Sequence, residues 1–198
     1  MKKIGIFFFS IFFFFHNSLL ALSTDPQEFV TELVNEAINK LSDKNISKED
    51  KAVYIEKIAL ENVDIKALSL YALGELRKSS NEKNIQDYQE AFEKYFLKNL
   101  TSRLTDYSSS KFVVLSADKK SSNYTIVSSK MVPDDGDPEI KIDWRIYTKN
   151  PDKPLIRDLI VEGLSLARTQ KEEFKSVIQN NNNDINALFK TLEDFINK

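Results

Sequence analysis

Leu155 to Phe174 reads LIRDLIVEGLSLARTQKEEF, and the fold turns on the place where its period changes. Leu155, Ile156, Leu159, Ile160 and Val161 crowd into one short run, too brief and too β-branched for a helix and typical of a buried strand. Glu162-Gly163 interrupts the run, and Gly reaches φ > 0 without steric cost. From Ser165 the spacing is helical. Leu166/Ala167, Gln170, Phe174 and Val177/Ile178 fall three and four apart, with Gln170 the one polar member of the stripe. A strand thus runs into a helix across one Gly, which ties the last strand of a sheet to the helix that folds back over it.

Upstream lie three further strand candidates, Phe112 to Leu115, Tyr124 to Val127 and Ile140 to Tyr147, parted by polar or Pro-containing turns. In the last of these Ile140, Ile142, Trp144 and Ile146 alternate with Lys141, Asp143, Arg145 and Tyr147, one buried face and one wet face. Before the strands come helices. Pro26 suits a first helical position behind Thr24-Asp25, and Phe29, Val30, Leu33, Ala37, Ile38 and Leu41 mark its apolar face. Ser47 opens a second helix through Val53, Ile55, Ile58 and Leu60. Asp64 caps a third, ended by Gly74. Ser79 to Lys83 reads as a polar linker before the longest helix, about Asn84 to Tyr107, striped by Tyr88, Phe92, Tyr95/Phe96, Leu100 and Leu104. After the strand-helix joint, Asn180 to Asn183 is a loop and Asp184 to Ile196 a last helix. Helices, then an antiparallel meander, then helices predict one α+β domain with four strands in a curled sheet and the helices on one face.

The first 23 residues stand apart. Lys2-Lys3, the apolar run Ile4 to Phe15 and Ala21-Leu22-Ser23 have the form of a cleaved signal peptide, the alternative being an uncleaved anchor over Ile4 to Leu22. Cleavage after Ser23 leaves residues 24–198. Of 28 basic residues Lys2 and Lys3 would go, leaving 26 against 30 acidic ones. A mildly acidic exported chain with mixed charges has no electrostatic reason to hold nucleic acid or to grip an anionic membrane strongly.

There is no Cys, and the single His, His16, lies in that leader. Ser-His-Asp and Cys-His nucleophilic sites, His or Cys zinc sites and disulfides are thereby excluded from residues 24–198. No metal or cofactor is expected. Asp143, Asp158 and Glu162 are the carboxylates that an enzyme would use. Without a nucleophile or His nearby, Asp158 reads instead as an exposed-face residue and Glu162 as a turn carboxylate. Asp134-Asp135-Gly136-Asp137 lacks the spaced oxygens and closing Glu of a calcium loop, and reads as a hairpin turn.

Two stretches resemble the MlaC (toluene-tolerance) family of periplasmic phospholipid-binding proteins. One is Val63-Asp64-Ile65, Ala72-Leu73-Gly74, then Ala91-Phe92, Phe96, Leu100, Leu104 and Tyr107; the other is Asp158-Leu-Ile-Val-Glu162-Gly163-Leu-Ser165-Leu with Phe174, and Ile142-Asp143-Trp144-Arg145 is similar to the strand before it. The chain departs at Glu75-Leu76-Arg77-Lys78, where the family often has Arg-aromatic-Trp-Arg. The resemblance implies a sheet related to the nuclear-transport-factor-like and cystatin-like folds, enclosing an apolar cavity for acyl chains. It also implies a periplasmic, monomeric, non-enzymatic shuttle with transient membrane contact. Its partners would be an inner-membrane ABC transporter with an MCE-domain subunit and an outer-membrane lipoprotein–porin complex, and its task the maintenance of outer-membrane lipid asymmetry. The alternatives are a small enzyme on the same scaffold, using the carboxylates above, or a non-catalytic exported interaction module.

A two-chain lipid has on the order of thirty methylenes, and at about 0.8 kcal/mol each their exposure costs more than roughly 20 kcal/mol. Transit through water needs a closed apolar container. The residues expected to line it are Leu73, Phe92, Phe96, Leu100 and Leu104 from the helices, with Val113, Ile126, Ile142, Trp144, Ile146, Ile160, Leu166 and Phe174 from the sheet and its covering helix.

Overall fold

Asp25, Ser47, Asp64, Asn81, Ser165 and Asp184 each precede a helix and accept a hydrogen bond from a backbone N–H of its first turn. Such caps satisfy donors that the helix itself cannot pair. They set the starts of α1 (Pro26–Ser42), α2 (Lys48–Asn62), α3 (Ile65–Leu73), α5 (Glu82–Leu104), α6 (Leu166–Asn180) and α7 (Ile185–Ile196). The computed structural model describes residues 22–105, 110–134, 137–182 and 184–197. The expected signal peptide apart from Leu22 and Ser23, together with Tyr107, Asp135-Gly136 and Asn183, lies outside them. Among the described residues no helix is long and apolar enough to cross a membrane.

The strands β1 (Ser110–Lys119), β2 (Tyr124–Pro133), β3 (Ile140–Tyr147) and β4 (Leu155–Val161) pair antiparallel in sequence order. The sheet has five strands, not the expected four. Val161 pairs with Leu164 and Ile160 with Ser165, adding the two-residue β5 (Leu164–Ser165). The reason is the turn. Glu162 lies at φ +48° and Gly163 at φ +82°, so both central residues are left-handed, the requirement of a two-residue hairpin that returns along its own strand. The joint is therefore strand, hairpin, short strand, helix, and Ser165 serves as both last strand residue and cap of α6. Two further differences are local. A four-residue helix, α4 (Leu76–Ser79), precedes the expected linker and meets it at Ser79, and Asn81 starts α5 earlier than the stripe suggested.

The apolar residues sort into two clusters. On one face of the sheet Phe29, Val30, Leu33 and Val34 of α1 pack on Val127, Trp144, Ile146 and Ile156. Elsewhere Ile65, Ala72 and Leu73 of α3, Tyr88 and Phe92 of α5, Phe174 and Ile178 of α6, and Leu188 and Leu192 of α7 form a helical core. Val63 touches both, and its bridge to Ile156 fixes the start of α3 at the β4 side of the sheet. In α2 the buried residues are Ile55 and Ala59, whereas Val53 is 66% exposed and Leu60 51%, because the packed face is rotated from the expected one. Gln170, the polar member of the α6 stripe, accepts a hydrogen bond from the Tyr95 hydroxyl of α5 at 3.0 Å.

Candidate functional site: the groove between α3 and the sheet

The helices do not gather on one face of the sheet as expected: on the face opposite α1, strand alternation turns Ser116, Ile126, Ser128, Asp143, Arg145 and Ile160 toward α3. Ala67, Leu68, Leu70 and Tyr71 of α3 stand over them. Between the two lies an open groove of about 1040 Å³, whose wall is completed by Arg77, Asp118, Lys120, Ser121, Tyr124, Arg157 and Ala167. One wall is apolar and helical. The other is a sheet floor carrying ions and hydroxyls between Ile126 and Ile160.

Arg157 holds the roof to the floor. Its Nε donates to Asp64 Oδ2 at 2.8 Å, its Nη2 lies 2.7 Å from the same oxygen, and its Nη1 donates to the Tyr124 hydroxyl at 2.8 Å. The guanidinium sits 3.4 Å from the centre of the Tyr147 ring, in cation–π distance. Burial would lower the Arg157 pKa, but the hydrogen bonds with Tyr124 and Asp64 raise it on balance, so the group is a permanent cation. Asp64 meanwhile accepts the Ala67 N–H at 3.1 Å, so one carboxylate caps α3 and ties it to β4.

Asp158 is the anchor at the other end. It is buried, 3% exposed, which corrects its expected place on an exposed face. The register shifts by one residue between Arg145 and Ile146, so Ile156 and Leu159 both face α1, while Asp158 falls on the opposite face across from Arg145 and turns to the start of α6. There it accepts from the Ser165 hydroxyl at 2.6 Å, the Ala167 N–H at 3.0 Å and Arg145 Nη1 at 3.2 Å. Glu162, exposed at the hairpin, accepts from the Lys141 N–H.

Of the residues expected to line a pocket, Ile126 and Ile160 stand in the wall of this groove. Leu73, Phe92 and Phe174 lie in the helical core and Phe96 packs against it. Trp144 and Ile146 lie beneath α1 with Ile142 beside them; the Trp144 indole N–H donates to Ser129 Oγ at 2.9 Å. Leu100, Leu104 and Val113 are half-buried outside the groove wall, and Leu166 is 49% exposed beside Ala167. Sequence reasoning passed over Arg145, Arg157, Tyr124 and Ser128. The signal available was the alternation of β3, which put Asp143 and Arg145 together on the face away from Trp144.

A sequence model of the MlaC protein family matches residues 30–194. No curated protein matches the chain in sequence. Among solved structures the chain is similar to the phospholipid-binding protein from Ralstonia solanacearum, determined in complex with a phospholipid, at TM-score 0.71 and 17% identity, covering 86% of this chain and 96% of that one. At that identity the likeness is one of fold. The family match spans both the α3 roof and the β4-to-α6 joint that build the groove, and the chain belongs to the MlaC protein family.

Proposed function

We propose that the chain is a phospholipid-binding carrier and not an enzyme. The observation that carries this is the groove of about 1040 Å³ between α3 and the sheet in a member of the MlaC family, open and polar-floored where a closed apolar container was expected. Its volume is at the upper end of the roughly 300–1,000 Å³ usual for ligand sites, and Leu68, Leu70, Tyr71, Ile126 and Ile160 supply apolar wall for acyl chains. The phospholipid bound by the Ralstonia solanacearum protein of the same fold supports the same reading. Leu73, Phe92, Phe96, Leu100, Leu104, Val113, Ile142, Trp144, Ile146, Leu166 and Phe174 would meet acyl chains only where the clusters open around a longer ligand.

The state of the carboxylates supports a non-catalytic role. Asp158 is committed to Ser165, Ala167 and Arg145, and Glu162 to the Lys141 N–H. Asp143 lies beside the Ser116 and Ser128 hydroxyls, but residues 24–198 hold no His to activate them. The wider reading is a periplasmic shuttle on a nuclear-transport-factor-like or cystatin-like scaffold, exported by a cleaved peptide at residues 1–23. It would exchange lipid between an MCE-domain ABC transporter and an outer-membrane lipoprotein–porin complex, and so maintain lipid asymmetry. Transfer between bilayer and groove is nearly neutral, so direction comes from the partners.

The experiment is native extraction. Protein purified from cells and extracted with organic solvent is expected to release phospholipid at near one per chain by mass spectrometry. Protein that carries no lipid from cells and takes none from vesicles overturns the carrier reading.

A further inference from the structure

The strand register orders the groove floor into rungs. Ser116, Ser128 and Asp143 stand side by side across β1, β2 and β3, and the next rung places Arg145 between Ile126 and Asp158. Among the described residues the half-buried Asp143 carboxylate has no hydrogen-bond or ion-pair partner. Arg145 is 41% exposed and makes one ion pair, to Asp158 at 3.2 Å. A guanidinium has five N–H donors, so most of its capacity is unspent. The two groups lie on one face of β3, about 6–7 Å apart along the strand. They do not pair with each other. Of the other ions of the wall, Lys120 is engaged by Asp118 and Arg157 by Asp64, while Arg77 of α4 stands apart from these rungs with no ion-pair partner among the described residues.

A free carboxylate with hydroxyls beside it, one rung from a cation with donors to spare, matches a ligand that carries an ammonium and a phosphate separated by a short link. We propose that these rungs are a headgroup site for a zwitterionic phospholipid with a primary amine, the phosphate on Arg145 and the ammonium on Asp143 and Ser128. The assignment rests on the carrier reading. A primary ammonium has three N–H donors to share between the Asp143 carboxylate and the Ser128 hydroxyl. An anionic headgroup without an amine leaves Asp143 unanswered and opposed to its charge, so the site selects by repulsion as well as by attraction.

The test uses the lipid-stripped full chain, incubated with vesicles of equal phosphatidylethanolamine and phosphatidylglycerol, re-isolated and extracted. The ethanolamine lipid is expected to be enriched about fivefold in the bound fraction, the ratio that one partly screened charge contact supplies. Asp143→Asn is expected to bring the ratio to parity and Ser128→Ala to lower it. Since Asp143 has no partner to strand, its variant should fold. Arg145 is unsuitable, because its removal leaves buried Asp158 uncompensated. Parity or glycerol enrichment in the unaltered protein, or enrichment that survives Asp143→Asn, overturns the headgroup site and leaves the carrier reading standing. No lipid in any sample removes both. Excess free glycerophosphoethanolamine that blocks loading of both lipids alike assigns the rungs to a soluble phospho-amine and overturns the lipid assignment.

Discussion

Arg157 of β4 and Asp64 at the cap of α3 are 93 residues apart in sequence and joined by two guanidinium nitrogens, at 2.8 and 2.7 Å, on one carboxylate oxygen. Their side chains are 25% and 17% exposed, so the pair lies between surface and interior. It decides how firmly the groove roof is attached, because the same carboxylate holds the first turn of α3.

Removing one partner leaves a partly buried charge uncompensated. Arg157→Ala is expected to cost about 2 kcal/mol, above a surface pair and below a fully buried one. Arg157→Lys should recover less than half of that, since an ammonium cannot reach Asp64 and Tyr124 together while lying flat on Tyr147. Urea titrations of the three proteins check this. Equal stability of the Lys variant and the parent would remove the guanidinium geometry from the account.

The α5 phenol Tyr88 predicts an alkaline limit. Its hydroxyl is buried and donates to the Ser69 carbonyl at 3.1 Å, and burial, helped by Tyr95, raises its pKa above the usual 10.0. A raised folded pKa means that the neutral phenol stabilises the fold fully below about pH 10 and that this contribution is lost as pH climbs above it. Tyr54 acts in the same sense, raised by burial and by the charge of Glu36. Stability, and Tm with it, is therefore expected to fall above pH 10, by up to about 1.36 kcal/mol per pH unit for Tyr88 and by less for the half-buried Tyr54. Tyr88→Phe should cost about 1 kcal/mol at neutral pH but flatten that decline. Parallel declines in variant and parent would count against Tyr88 as a source.

The hairpin makes a conformational prediction free of packing. At Gly163, with φ +82°, an added Cβ would meet no atom within 4 Å, so Gly163→Ala isolates the cost of a left-handed backbone, about 1 kcal/mol. At Gly74, with φ +63°, the same Cβ would lie 3.3 Å from Lys171 Cε, the end of a flexible side chain that can swing aside. Gly74 also has ψ −133°, a combination that only Gly adopts readily, so Gly74→Ala should lose more stability than Gly163→Ala in thermal melts. Equal losses would mean that the backbone at Gly74 relaxes, with Lys171 swinging away from the Tyr71 ring.

What the sequence made legible was what local chemistry decides. Pro26, Ser47, Asp64 and Gly74 marked helix ends because caps depend on neighbouring residues, and the period change at Ser165 located the joint. The fifth strand was hidden because two residues are too few to show alternation, and its only mark was a turn that needs Glu162 as well as Gly163 at φ > 0. The groove was hidden for a different reason. Lys141, Asp143, Arg145 and Tyr147 read as a wet face, and a polar groove floor and an open surface leave the same pattern. The long-range ties of Val63 to Ile156 and of Asp64 to Arg157 place α3 over that face. The long-helix stripe was equally silent on its partner: Phe92 meets Phe174 of α6 edge-on, with ring centres 6.1 Å apart, and lies in the helical core.

The two faces of the sheet give a last prediction, drawn between two isoleucines on adjacent strands. Ile146 is fully buried beneath α1, whereas Ile126 lines the groove and belongs to neither core cluster. Ile146→Ala leaves a cavity that α1 cannot close and is expected to cost about 2–5 kcal/mol. Ile126→Trp adds bulk to open space, so its stability should stay within about 1 kcal/mol of the parent, while the lipid recovered per chain falls severalfold as the acyl path is blocked. Melting curves and native lipid extraction on both variants separate the roles. If Ile126→Trp carries lipid at the parent's level, the acyl chains do not run between Ile126 and α3, and the ligand must enter between the helices instead.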